Sequence, residues 1–268
     1  MLGKLLKYEI PAVGRKLAPM YLAWLAASVL LGLTMGRFDG SFAFMIIPPL
    51  VYFGVTVAVF VMAIILIIQR YYNSLLGDEA YFNQVLPVTA GEHIASKTLS
   101  AFIWMALTML AALLSGIIIL LLTGGTGAFW NGQPLDFSEL WNAISNYPNS
   151  GKVILLIAEF LALAVLSFLK SVLAVYAAIT IGHLVRNHVV LASIGAYIGL
   201  MIFESSVGNI FISLGLTKGE NTDLNTLFSS NFAATQMLVG VSFLISVALI
   251  AIYFFICKYI MENKLNLA

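Results

Sequence analysis

Charge is what this chain of 268 residues lacks most: 9% of it is Asp, Glu, Lys or Arg, against 61% hydrophobic residues. Soluble domains carry about 25% charged residues, so a water-soluble fold is excluded. Cysteine is scarcer still, since Cys257 alone rules out an internal disulfide and any CxxC metal or redox motif, and inside an apolar run it reads as packing. A net charge of +1, with no basic cluster beyond a short N-terminal one, argues against nucleic acid as a partner. The histidines His93, His183 and His188 have no carboxylate or cysteine beside them at ligand spacing, so no metal site is expected and they read as surface groups near lipid headgroups. No HExxH, no GxSxG and no paired acidic motif at helical spacing occurs, which argues against an intramembrane enzyme and leaves no catalytic residue to name. Nor is there an internal repeat or a low-complexity tract, so one membrane domain over 1–268 is expected.

What the chain has in abundance is long apolar runs. About 20 apolar residues cross roughly 30 Å of hydrocarbon as a helix, because lipid offers an open backbone no hydrogen-bond partner. Six runs qualify, near 17–35, 45–68, 99–122, 153–181, 189–212 and 235–257, and they predict an all-α polytopic membrane protein. An even count places both termini on one side. Lys and Arg resist translocation, and Lys4, Lys7, Arg15, Lys16, Arg70, Lys97, Arg186, Lys258 and Lys264 fall on that side against Arg37, Lys152 and Lys218 on the other. Both termini are therefore expected in the cytosol.

The breaks between the runs differ in character. Residues 1–16 place Leu2, Leu5, Leu6 and Ile10 near helical spacing with Lys4, Lys7 and Glu9 elsewhere on the wheel, which suits a helix lying in the inner interface until Pro11 bends the chain into the first span. A basic topogenic flank explains the same charges. Residues 37–41 and 183–188 are tight turns, so the helices they join are antiparallel neighbours. The external stretch 123–151 is long enough for a small cap, with a turn at Asn131 and Gly132 and a capping box from Asp136 to Glu139. In 205–234 the chain starts apolar and turns polar near Lys218, which fits either a re-entrant element or a continuous span followed by a loop.

The break at 69–97 is neither a turn nor featureless. Gly77 ends the extension of span two, Asp78 caps a short helix, and Pro87 stops it after Leu86. Thr89 and Glu92 then form a T-x-x-E capping box that launches the third span. Tyr81, Phe82, Val85 and Leu86 recur at i, i+1, i+4 and i+5, which gathers them on one face of the short helix. Such an aromatic patch is a docking surface, because aromatics dominate buried interface anchors; the plainer alternative is a face that lies on the bilayer or on neighbouring helices. Asp78 and Glu79 sit where the helix dipole favours them and where they can meet a basic partner.

With that elbow the chain resembles a known family. Six spans, an interfacial N-terminal helix, the sequence RYYNSLLGDEAY from Arg70 to Tyr81 followed by LPVT from Leu86 to Thr89, and an apolar external segment before span six are similar to the ABC-2 permeases, the membrane subunits of bacterial ATP-binding-cassette exporters. The layout matches over the whole chain, while the residue-level likeness is concentrated in 70–97. The resemblance implies that the elbow is a coupling helix seated in a separate nucleotide-binding subunit, with Gly77, Asp78, Glu79, Tyr81, Phe82, Val85 and Leu86 at that contact. It also implies a pathway walled by spans two and five, a second permease copy or a related chain, and a bacterial plasma-membrane location. No G-x-x-x-x-G-K-[ST] phosphate loop occurs, so ATP and Mg would be bound by the partner ATPase and no cofactor by this chain. The apolar spans suit a hydrophobic or amphiphilic cargo such as a drug, lipid or peptide.

Three ionisable residues fall inside the expected spans, where each costs several kcal/mol unless paired, hydrated or near a boundary. Lys170 is expected to snorkel to the inner interface. Glu159 and Glu204 both fall toward the outer third; they either share a proton, if their helices face each other, or are unrelated, each hydrogen-bonded to backbone at an outer vestibule or re-entrant turn. The competing function is an ion- or proton-coupled carrier using these two carboxylates, against which stands the absence of an inverted repeat with matching broken spans.

Overall fold

The computed structural model describes residues 2–37, 42–76, 88–123, 150–185, 188–211 and 232–263. Each stretch is built around one helix: α1 (Leu2–Arg37), α2 (Phe42–Leu75), α3 (Ala90–Leu122), α4 (Ser150–Gly182), α5 (Val189–Phe211) and α6 (Phe232–Asn263), with no strand among the described residues. All six are long and apolar enough to cross a membrane. The protein is thus an all-helical, multi-pass membrane protein.

Several helices outrun the bilayer. At about 1.5 Å per residue, the 34 residues of α2 and the 33 of α3 span roughly 50 Å, about 20 Å more than the hydrocarbon core. Hydropathy marks only the lipid-spanning portion, which is why the runs read from sequence are shorter than the helices. α1 departs from expectation at its start. It runs unbroken from Leu2 through Pro11 and Pro19, so the N-terminal segment and the first span are one hydrogen-bonded element where a division at Pro11 was expected. A proline inside a helix forfeits one backbone bond at about 3 kcal/mol. Just beyond Pro11, Val13 and Leu17 are buried against Ala63, Leu66 and Trp104, packing that holds the helical path.

The chain divides into two compact units, Met1–Tyr71 with Leu99–Ser138 and Tyr72–Thr98 with Glu139–Ala268. In the first, α1, α2 and α3 meet along two apolar clusters, the one around Leu17 and Trp104 and a second formed by Trp24, Val59 and Ala111. Polar bonds tie the same helices where lipid would leave donors unmet. The Trp24 indole Nε1 donates to Thr56 Oγ1 at 2.8 Å, the Tyr21 hydroxyl meets Thr108 Oγ1 at 2.7 Å, and the Tyr52 hydroxyl meets Ser115 Oγ at 2.8 Å. Each such interhelical bond contributes on the order of 0.6–2 kcal/mol in a bilayer. α1 approaches α3 closely at Gly14, where a Cβ would stand 2.7 Å from the Trp104 ring.

In the second unit α4 packs on both α5 and α6. α4 and α5 are the antiparallel neighbours that the tight 183–188 turn implies. The turn closes with Leu184 N–H donating to Ile181 O and Val185 N–H to Gly182 O, both at 3.1 Å. Gly182 is what lets the hairpin close, because a Cβ there would lie 2.5 Å from the Ser193 backbone nitrogen and 2.6 Å from its Cα. Backbone cannot yield as a side-chain tip does, so Gly182→Ala is expected to lower stability by about 1–3 kcal/mol, read as a fall in the unfolding midpoint in micelles. The control Gly195→Ala, whose Cβ meets nothing within 4 Å, should leave it unchanged.

Of the segment 205–234, residues 205–211 continue α5 as helix and 232–234 open α6. The rest of it, the 124–149 portion of the external stretch and the turn at 38–41 lie outside the described residues.

Candidate functional site

Residues 77–87 lie outside the described residues, and with them Gly77, Asp78, Glu79, Tyr81, Phe82, Val85 and Leu86. What the structure supplies is the pair of stems on either side. α2 reaches Leu75 and adds one more bond, from Leu76 N–H to Tyr72 O at 2.9 Å. α3 begins with the capping box read from the sequence: Glu92 N–H donates to Thr89 Oγ1 at 3.3 Å and Thr89 N–H returns a bond to Glu92 Oε2 at 3.2 Å. Both stems are packed rather than solvated. Tyr71, Ser74, Leu75 and Leu76 are buried on one side, and His93, Ile94, Ser96 and Lys97 on the other. His93 is thus an interior residue where a surface histidine was expected, because the first turns of α3 are packed, with Ile94, Ser96 and Lys97 buried beside it.

Arg70, at the base of the first stem, is held by α1. Its Nε donates to Glu9 Oε2 at 2.9 Å and its Nη2 reaches Oε1 at 3.5 Å, with Glu9 12% exposed and Arg70 36%. At that exposure the pair is worth about 1 kcal/mol or less. Glu9→Gln should therefore lower the unfolding midpoint slightly, and the exchanged pair Glu9→Arg/Arg70→Glu should recover the loss in a double-mutant cycle.

The second polar constellation lies within α4, α5 and α6. The Lys170 ammonium donates to Glu204 Oε1 in a close ion pair, with the Lys side chain 13% exposed and the Glu side chain 35%. Lys170 stands about 18 Å, and Glu204 about 22 Å, along their helices from the ends joined at the turn, so both charges lie well inside the span. Lys170 was expected to reach the interface by snorkelling; instead a carboxylate at matching depth on the adjacent helix holds it. Glu159 has a separate partner, accepting from Gln236 Nε2 on α6 at 2.9 Å. Each carboxylate thus has its own donor, a side chain in both cases where the reading of unrelated carboxylates expected backbone.

Beside Glu204 opens a cavity of about 300 Å³. Its polar lining comes from Ser171 on α4, from Tyr197, Glu204 and Ser205 on α5, and from Tyr253 on α6, with Ala174, Leu200 and Met201 completing the wall. Tyr253 is fully buried and its hydroxyl finds no hydrogen-bond partner among the described residues.

No family model, curated protein or solved structure matches this chain. Function therefore has to be argued from the residues and their geometry.

Two arrangements are available: the packed ends of α2 and α3 on either side of 77–87, and a charged, partly lined chamber among α4, α5 and α6. The chamber can hydrogen-bond a polar group, and no cluster of His, Cys, Asp or Glu among the described residues could hold a metal ion. Sequence reasoning missed Tyr253, Tyr197, Ser171 and Ser205. For the α5 residues a signal existed, since Tyr197, Met201, Glu204 and Ser205 recur at i, i+4, i+7 and i+8 on one helix face. For Tyr253, one aromatic residue in an apolar run, there was none.

Proposed function

We propose that the chain is the permease subunit of a bacterial ATP-binding-cassette exporter, seated in the cell membrane with both termini in the cytoplasm. It moves a hydrophobic or amphiphilic cargo outward while a separate ATPase binds ATP and Mg and docks on residues 77–86. The observation that carries this reading is the overshoot of α2 and α3, two adjoining spans of 34 and 33 residues. An excess of about 20 Å over the bilayer supports a segment between them that stands clear of the membrane. Two features support a mechanical role for these stems: their residues are buried, and Glu9 anchors Arg70. A segment that carries force needs rigid supports. The sequence adds an aromatic face at Tyr81 and Phe82, and its lack of a phosphate loop supports hydrolysis by another chain. Co-expression of the chain with P-loop ATPases encoded beside it, followed by affinity purification, tests the reading. A stoichiometric complex with one of them supports it, and failure of each to associate sinks it.

The Lys170–Glu204 pair favours a second reading, an ion-coupled carrier, because a charge pair at mid-depth is a common place to bind a coupling ion. Transport that continues without ATP but stops on Glu204→Gln would select that mechanism. Loss of transport on ATP depletion would reject it.

A further inference from the structure

We propose that the cavity among α4, α5 and α6 binds the polar head of a net-neutral, hydrogen-bonding amphiphile, whose tail leaves past Met201 into the lipid. Three observations converge on that chemistry. The Tyr253 hydroxyl is a donor inside a fully buried residue and has no partner among the described residues; leaving such a group unmet costs about 1–3 kcal/mol, which a ligand acceptor recovers. Glu204 supplies the complementary function. A carboxylate has two oxygens and about four lone-pair positions, and Lys170 occupies Oε1 alone, so the carboxylate retains capacity to accept from a ligand hydroxyl or amide.

Charge balance then selects the head. Lys170 and Glu204 already neutralise each other at mid-depth. A ligand bearing net charge would place an uncompensated ion in a low-dielectric site, or would have to break the existing pair. A hydroxyl- or amide-bearing head of zero net charge satisfies Tyr253 and Glu204 without either cost. Size agrees, since about 300 Å³ is the lower end of ligand pockets and corresponds to a head group rather than a whole lipid. The exit is apolar: Met201 is 55% exposed and Ile202 61%, on the α5 surface next to the chamber. This inference rests on the cavity and not on ATPase coupling.

The test uses the purified full chain in micelles, without nucleotide or ATPase, and three photoactivatable probes that share a diazirine-bearing acyl tail. One carries a glycerol ester head, one a carboxylate and one a primary amine. The glycerol-headed probe is expected to label peptides spanning 197–205 saturably and to be displaced by unlabelled monoacylglycerol. Tyr253→Phe should weaken that labelling about tenfold, the effect of one lost hydrogen bond to a buried group. Ser205→Leu, at an exposed α5 position that tolerates an apolar side chain, should block it by filling the chamber. It decides the matter should Tyr253→Phe fail to fold. Absence of saturable labelling, equal labelling by either charged head, or labelling that survives Ser205→Leu would each overturn the proposal; the first would leave the chamber to water.

Discussion

Lys170→Leu, made alone, is expected to lower the stability of the protein by about 3 kcal/mol, because it strands the Glu204 carboxylate at mid-membrane depth. The lower end of the range for a broken buried pair applies, since Glu204 keeps 35% of its side chain open toward the cavity side. Glu204→Leu alone should cost more, up to about 5 kcal/mol, because the Lys170 ammonium it leaves behind is only 13% exposed. The double variant Lys170→Leu/Glu204→Leu should return to within about 1 kcal/mol of the parent, as apolar replacements of buried ion pairs commonly do. Thermal unfolding in micelles reads all three: falls of roughly 6–12 °C for Lys170→Leu and a recovered midpoint for the double variant. Two single losses that simply add in the double variant would show that the charges do not meet in the folded protein.

On the proposed function, Tyr81→Ala/Phe82→Ala is expected to abolish association with an ATPase subunit. Aromatic anchors at the centre of an interface contribute about 2 kcal/mol or more each, so removing both should weaken binding roughly a thousandfold. The chain itself should fold as before, because the stems are buried through Tyr71, Leu75, Leu76 and Ile94. The expected signature is therefore separated: an unchanged unfolding midpoint, no ATPase in the purified complex, and no ATP-driven transport. If the complex survives at the parent stoichiometry, the patch is not the docking surface. If instead the midpoint collapses, the two rings belong to the fold.

Much of the architecture was legible because the bilayer imposes it. Apolar runs of about 20 residues have few alternatives to a spanning helix, so all six helices were found, and the Thr89–Glu92 box marked the start of α3 at the residue where the structure places it. Helix ends were less legible, since hydropathy stops at the lipid boundary while the backbone bonds of α1, α2 and α3 continue beyond it. Pro11 misled for a related reason: its local preference is to break a helix, but the packing of Val13 and Leu17 outweighs one lost bond.

The intramembrane pair was within reach of sequence reasoning and was missed because depth was reckoned for Lys170 from the outer end of its helix and for Glu204 from the inner end of its own, which left snorkelling open to the lysine. Counted from the tight turn that joins α4 to α5, the two lie about 18 and 22 Å along antiparallel neighbours and face one another. Tyr253 and the chamber were out of reach, because the packing of α6 against α4 is tertiary information that no periodicity within α6 encodes.

The claim on which the mechanism turns is that the segment between α2 and α3 grips a motor in the cytoplasm. Photocrosslinking in intact cells from residue 82, with Phe82 replaced by a benzophenone amino acid, tests it most directly. The expected result is one adduct, with a P-loop ATPase. Reaction with an impermeant reagent added outside the cell, or adducts with lipid alone, would contradict it.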